Sequence, residues 1–523
     1  MASDESTLTV GPLETLTGRS GLPQVPALTI IWHPHLDRIG QIAPLTNLLE
    51  TDVAHLSRSE PLFLPPGADS GEPLSHRGMS KDSVLDIAFH RGAFELRRVQ
   101  AHEIEVDGAP LTGSRRVSAA DLSRGLILTV ARRFVFCFHS VHFPITRSPT
   151  LGLLGTSDRI EDVRRSIARV AVKSMPVLLR GESGTGKELA ARALHDAGPR
   201  AKARFVAVNM GALLHERADA VLFGYKKGAF TGAVADLPGE FRSADGGTIF
   251  LDEIGLLSPE VQPLLLRVLD NKEVQQLGAS YPTKLDVRIV AATDAKLEKA
   301  VAEGRFEESL SNRLKASVTI RLPPLRQRRE DVGILLLHWL KDQFGEGAMQ
   351  ILQRLQDPDP KIRPWLSARD VAAVARSPLP ANVRSLLELA SNLVGLVGDN
   401  PSGDTETVVG DFLLKEAEED EVSGRPSTPK VTPPAIEYSQ EQLLGALETA
   451  DWNRTKAAEQ LGISRQAFWR ATVKHPALRL VADLDLPDLI LELETFDGDL
   501  KRLAAKLGAS EALLARRLAR RTK

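Results

Sequence analysis

Between Leu28 and His139 short apolar runs recur between polar breaks, as in "LTIIWH" (28–33) and "GLILTVARRFVFCFH" (125–139). The second stretch reads as two apolar strands joined by a basic turn. "HEIEVDGAPLTG" carries a Val-Asp-Gly turn between short runs, a hairpin signature. No amphipathic helix dominates, so the pattern predicts an all-β domain over 26–143. Residues 1–25, rich in Ser, Thr, Gly and Pro, read as a loosely ordered lead-in, and 144–151 as a linker.

From about Gly152 the period changes. "PVLLR" (176–180), "RFVAV" (204–208), "TIFLDE" (248–253) and "DVRIVAAT" (286–293) are short apolar runs of the kind buried in parallel sheets. Helical patterns such as "KELAARALHDAG" and "EVQPLLLRVLD" lie between them, which predicts an open α/β domain over 152–322. Helices without strands follow over 323–412. Residues 413–437 turn acidic and then rich in Pro, Ser and Thr, as a linker does. The last segments, 438–476 and 484–523, read as helical. They hold a repeat at an offset of 46, in which Asp451, Ala458, Leu461, Gly462 and Ser464 match Asp497, Ala504, Leu507, Gly508 and Ser510.

Composition narrows this picture only slightly. Length, 523 residues, allows three or four domains. A single cysteine, Cys137, rules out an intrachain disulfide and fits a reducing compartment. No apolar stretch reaches the roughly 20 residues that span a bilayer, and the first residues lack a basic-then-apolar leader pattern. The expectation is a cytoplasmic protein without membrane partners. Net charge is −2, so contact with nucleic acid requires a local basic patch.

Candidate chemistry is concentrated in the α/β part. "GESGTGKE" (181–188) follows an apolar strand and opens a helix, the context a phosphate-binding loop requires. Gly181, Gly184 and Gly186 let backbone N–H groups face phosphate, with Glu182, Ser183 and Thr185 between them. The helix N-terminus adds positive potential, and Lys187 reaches toward the β- and γ-phosphates. Glu188 stands where Ser or Thr is usual, so magnesium must rely on another carboxylate. "GGTIFLDE" delivers Asp252 and Glu253 to the carboxyl end of a strand, where such sheets bind ligands. Asp252 is the candidate metal residue, acting through water, and Glu253 the candidate general base. The expected cofactors are ATP and Mg2+.

"GESGTGKE", "GYKKGAFTGA", "ADGGTIFLDEIG", "LLLRVL", "DVRIVAAT", "GRFEESLSNRL" and "RLPPLRQRREDV" stand in this order over about 180 residues. This resembles the AAA+ domain of sigma-54-dependent transcription activators, the bacterial enhancer-binding proteins. The resemblance implies an oligomeric ATPase ring, usually hexameric, that remodels the sigma-54 RNA polymerase closed complex. It implies a sigma-54 contact through Gly228, Ala229, Phe230, Thr231, Gly232 and Ala233. Asn209 matches the residue that switches the general base, Arg313 a trans-acting arginine finger, and Arg384 the lid arginine. Departures are Glu307 where the family carries a second Arg, Asp294 at the sensor position, and Ala381 for a lid Gly. They leave open an alternative, a catalytically weak or inactive member that binds nucleotide and DNA.

Two further resemblances flank this domain. "LSRSEPLF", "RGMSKDSV" and "EVDGAPLTG" are similar, in order, to three marks of forkhead-associated domains, β-sandwiches that bind phosphothreonine. Carried over, Arg58, Ser80 and Lys81 would hold a phosphoryl group of a phosphothreonine protein. Ser57, Ser83 and Asp107 replace the family's Gly, His and Asn, and a sandwich that has lost this binding stays open. "NRTKAAEQLGISRQAFWRATVKH" resembles the Fis-type helix-turn-helix. It implies upstream promoter DNA as partner, with Ser464 capping the second helix and Arg465, Gln466 and Arg470 facing the groove or its phosphates. The repeat at 497–523 reads equally as added phosphate contacts or as a dimerisation hairpin.

Overall fold

The computed structural model describes residues 23–449 apart from 50, 69, 91, 214–217, 295–296, 346, 357–363, 400–404 and 423–439, and beyond them 457, 460–461, 500–501 and 503. The chain forms two compact units, Met1–Arg425 and Pro426–Lys523. In the second, the helix Gln440–Thr449 is described. Ser464, Arg465, Gln466 and Arg470 lie outside the described residues, as does nearly all of the repeat. Among the described residues no helix is long and apolar enough to cross a membrane.

The first unit begins with two antiparallel sheets. Six strands run in the order Ile42–Pro44, Gln24–Trp32, Phe134–His142, Leu126–Val130, Ile104–Val106, Ala109–Pro110. The facing sheet holds Val53–Leu56, Leu85–His90, Ala93–Arg98 and Ser114–Val117. Side chains alternate across a strand, and Phe134, Phe136 and Phe138 enter the core between the sheets. Val135 and Cys137 face the other way, into a second core shared with the lid helices. Both faces of this strand are therefore buried. That is why "FVFCF" is continuously apolar and does not alternate.

The α/β part is a five-stranded parallel sheet in the order Phe205–Asn209, Thr248–Asp252, Arg288–Thr293, Val177–Arg180, Val318–Arg321. The last of these, an edge strand of four residues before two prolines, is absent from the sequence reading. Buried Arg288 donates to the carbonyls of Val170, Ala171 and Leu194, near the C-termini of the helices Asp158–Ala171 and Lys187–Asp196. One guanidinium thus satisfies carbonyls that helix ends leave unpaired and ties both helices to the sheet.

The lid comprises the helices Val332–Phe344, Ala348–Gln356, Ala368–Arg376, Val383–Asp399 and Thr405–Val422. Its last helix corrects the expected linker start at 413. Glu416 is buried and accepts from Ser385 Oγ at 3.0 Å, and Lys415 pairs with Glu388. Glu416 is thus held in place by the lid. Tryptophan and aliphatic residues of the six-stranded sheet (Ile31, Trp32, Ile127) share one core with Leu336, Val371 and Leu389 of the lid. Around it, Arg369 bonds Glu103 and Glu105 at 2.9 Å each, and Arg329 donates to Gly125 O at 3.2 Å.

Gly333 marks the closest approach: a Cβ there would lie 1.9 Å from the Ile31 carbonyl oxygen. Helix propensity alone favours Gly333→Ala by about 1 kcal/mol. Overpacking opposes it by about 1–3 kcal/mol. The expected result is net destabilisation in urea denaturation of the full chain; a stabilised variant would mean that the lid and sandwich are looser than described.

Candidate nucleotide site and exposed loop

The strand Val177–Arg180 is paired on both sides in its sheet, and the chain leaves it through Gly181–Gly186 into the helix Lys187–Asp196. Gly184 and Gly186 have φ of 72° and 97°, conformations that only glycine adopts freely. Lys187 is buried and donates Nζ to Gly181 O at 2.9 Å and Glu182 O at 3.1 Å. Thr185 N–H and Oγ1 also reach Glu182 O, at 3.3 and 2.7 Å. Four donor contacts therefore converge on two carbonyls of the loop itself, the cluster a phosphate would engage instead. Glu188 lies exposed in the helix's first turn.

Asn209 and Asp252 are register partners at the carboxyl ends of adjacent strands. Asn209 Oδ1 accepts from Gly211 N at 2.8 Å, and a Cβ on Gly211 would sit 2.5 Å from Glu253 Oε2. Asn209 and Glu253 thus flank one glycine. Glu253 holds φ 54°, a left-handed conformation costly for a non-glycine residue, and its N–H donates to Asp252 Oδ1 at 2.9 Å. Strain of this kind at a strand end is typical of positions where a side chain must be aimed.

The lid reaches the same loop. Arg384 donates to Ser183 Oγ at 3.2 Å, so the structure brings it to the site. Two residues absent from the sequence reading join it. Arg326 makes a bidentate pair with Glu182, both contacts 2.6 Å, which raises the arginine's pKa further. Asn382, fully buried, donates to Ser183 O at 2.9 Å. Arg326 stands in "RLPPLRQRREDV", and Asn382 between Ala381 and Arg384 of the lid. Nothing in their spacing marks them as facing the loop from a separate subdomain.

Arg313 is elsewhere in its own chain. It pairs with Asp270 at 2.8 Å and donates to Leu269 O at 3.1 Å. Arg305 pairs with Glu303, and Glu307 N donates to Gln262. Asp294 is exposed at its strand end.

The stretch Gly224–Val234 leaves the sheet domain as a loop with a fixed base. Tyr225 and Leu237 exchange backbone bonds at 2.9 and 2.8 Å, and Lys226 N donates to Leu277 O at 3.0 Å. Lys226 pairs with Asp236 across the neck. Gly228 and Gly232 have φ of 82° and 99° with open space around them. Phe230 is 41% exposed, its ring edge-on to Tyr225 at 4.9 Å, and Val234 is 81% exposed. Ala229 and Thr231 flank Phe230, and Ala233 is buried beneath.

In the sandwich, Arg58 and Ser80 meet through a backbone bond of 2.7 Å. The Arg58 guanidinium donates to Met79 O at 3.0 Å and Arg77 O at 3.3 Å, and Lys81 is exposed beside them. Asp107 pairs with Arg124 of the sandwich at 3.1 Å, accepts from Ile127 N at 3.1 Å, and lies 3.8 Å from Arg329 at the lid.

Residues 153–320 match the Sigma-54 interaction domain family, and residues 437–472 match the family described as bacterial regulatory protein, Fis family. The chain is 45% identical over 238 residues to the DNA-binding transcriptional regulator NtrC of Escherichia coli (strain K12), covering 46% of this chain and 48% of that one. It spans about half the length of such NtrC relatives. It is 36% identical over 325 residues to the transcriptional regulatory protein ZraR of Salmonella typhimurium, covering 62% of this chain and 69% of ZraR. Among solved structures, NtrX of Brucella abortus in complex with ATP is 29% identical, with TM-score 0.43, over 62% of this chain and 69% of that one.

Removing a charge-assisted hydrogen-bond donor costs about 1.5–3 kcal/mol, or roughly 10–100-fold in affinity. Lys187→Ala should therefore lose most of any ATP-induced rise in melting temperature. An unchanged rise would place the site elsewhere.

Proposed function

The chain belongs to the family of sigma-54 activators that join a Sigma-54 interaction domain to a Fis-family segment, and from that premise we propose that it is an ATP-driven, sigma-54-dependent transcriptional activator. The observation that carries this reading is the Gly224–Val234 loop. A half-exposed Phe230 between two unconstrained glycines gives up burial worth about 1.5–3 kcal/mol when fully realised. Such exposure has a use where another protein receives the ring. Gly228, Ala229, Phe230, Thr231, Gly232 and Ala233 form that contact with sigma-54 RNA polymerase.

ATP is held by Gly181–Glu188, with Lys187 on its phosphates and Arg384 reaching them from the lid. Glu253 orients and deprotonates the attacking water, and Asn209 controls its position across Gly211. Asp252, a half-buried carboxylate at the strand end, fits a Mg2+ ion and would hold it through water, as that ion is usually held; the ion would neutralise charge on the phosphates. Arg313 acts on the neighbouring subunit's nucleotide in a ring, usually hexameric in this family, after leaving Asp270. That pair is about half exposed on both sides and so costs at most about 1 kcal/mol to break. Segment 438–476 binds upstream DNA.

A second reading, a weak ATPase, is favoured by Glu307 at the usual second-arginine position and by the pairing of Arg305 with Glu303. For the sandwich, the juxtaposition of Arg58, Ser80 and Lys81 supports a phosphothreonine site of forkhead-associated type. Arg58→Ala should weaken phosphothreonine-peptide binding about 10–100-fold. Equal affinity for the unphosphorylated peptide would exclude that site.

The deciding experiment is open-complex formation by sigma-54 RNA polymerase in vitro, with and without ATP. Phe230→Ala should keep ATP turnover within about twofold, as expected for an exposed side chain away from the phosphate loop, and lose open complexes. If Phe230→Ala supports open complexes as the parent does, the loop is not the output.

A further inference from the structure

We propose that Asn382 is a positioning residue for the nucleotide's phosphates, holding the phosphate-binding loop in its receptive shape from the lid. This inference rests on the reading of Gly181–Glu188 as a nucleotide site.

Asn382 immediately precedes the helix Val383–Asp399 and is fully buried. Its φ is 56°, a left-handed conformation that asparagine tolerates better than most residues. Both ends of its amide are used. Oδ1 accepts from Leu325 N at 2.7 Å, and Nδ2 donates to Ser183 O at 2.9 Å, with longer contacts to Glu182 Oε2 and Pro380 O at 3.3 Å. Next to it, Val383 N donates to Gly184 O at 3.0 Å. Ala381 O closes the contact: a Cβ on Gly184 would fall 1.9 Å from it. Only glycine at 184 admits the lid this closely.

A trans peptide points its C=O and the following N–H in opposite directions. Holding the carbonyls of Ser183 and Gly184 against the lid therefore turns the N–H groups of Gly184 and Thr185 toward the loop's inner face. Thr185 N–H meets Glu182 O there, beside Lys187 Nζ. The Arg326–Glu182 pair forms an outer bracket around the same loop. Asn382 touches no phosphate; it acts through the orientation of two peptide planes. Phosphate recognition by oriented backbone N–H groups depends on that orientation.

Two variants of the full chain test this. Asn382→Gly suits φ 56° without strain and removes both amide contacts. Asn382→Asp keeps the acceptor for Leu325 N and loses the donor to Ser183 O. Each should weaken ATP and ADP alike, about tenfold, the usual effect of a lost buried hydrogen bond. Arg384→Ala, by contrast, should weaken ATP more than ADP. In nucleotide-free protein, hydrogen exchange at the Gly184 and Thr185 amides should rise by a similar factor in both Asn382 variants. A purely structural role would lower melting temperature without this equal loss of ATP and ADP. ATP and ADP affinities within twofold of the parent overturn the proposal, as does unchanged exchange at the two amides. If the parent binds neither nucleotide, the nucleotide reading has failed, and the exchange measurement alone decides whether Asn382 shapes the loop.

Discussion

Asp331 is a fully buried carboxylate at the point where the parallel sheet domain, the lid and the β-sandwich meet. It accepts from Thr156 N at 2.5 Å, Ser157 N at 2.9 Å and Ser157 Oγ at 2.7 Å, and pairs with Arg328 at 3.6 Å. A buried charge persists only when it is paired and hydrogen-bonded throughout. That requirement fixes the start of the helix Asp158–Ala171 against the start of the lid helix Val332–Phe344. Its neighbours in sequence face the other way. Arg329 bonds Gly125 O, and Glu330 lies 3.8 Å from His139 of the six-stranded sheet. Burial pushes the Glu330 carboxyl up and the His139 imidazole down, which favours the neutral form of each at this apolar boundary.

With the lid's first helix held in this way, the segment just before it and the start of Val383–Asp399 arrive over the phosphate loop. Arg326, Asn382, Val383 and Arg384 all bond residues 182–184. The same lid buries its opposite side against the sandwich, including Ile31, Val135 and Cys137. Sandwich, lid and phosphate loop are thus connected by direct contact. Any change in lid position on nucleotide binding carries the sandwich surface with it or breaks the shared core.

Much of the fold was legible in the chain because its patterns are local. Four of the five parallel strands are short apolar runs, and Gly184 and Gly186 of the phosphate loop stand where φ is positive. The strand Val318–Arg321 was missed because its four residues lie at a sheet edge and carry no continuous apolar run. The helix through Val422 was missed because acidic composition resembles a linker, while Glu416 is held by Ser385, 31 residues away in the chain. Among the candidate site residues, Lys187, Asp252 and Glu253 were nameable from motif and context. Arg326 and Asn382 were not, since their partners in the loop lie 144 and 199 or more residues away.

By itself the sequence determined most of the strands and helices, where a candidate phosphate loop begins, and that Phe230 stands on a separate glycine-flanked loop. These follow from side-chain period, glycine's conformational freedom and charge, all of which act within a few residues. Only the tertiary structure decided that the sandwich and lid share a core, that Arg313 rests on Asp270, and that Asn382 holds Ser183. Those contacts join surfaces far apart in the chain, and their geometry depends on how whole elements pack.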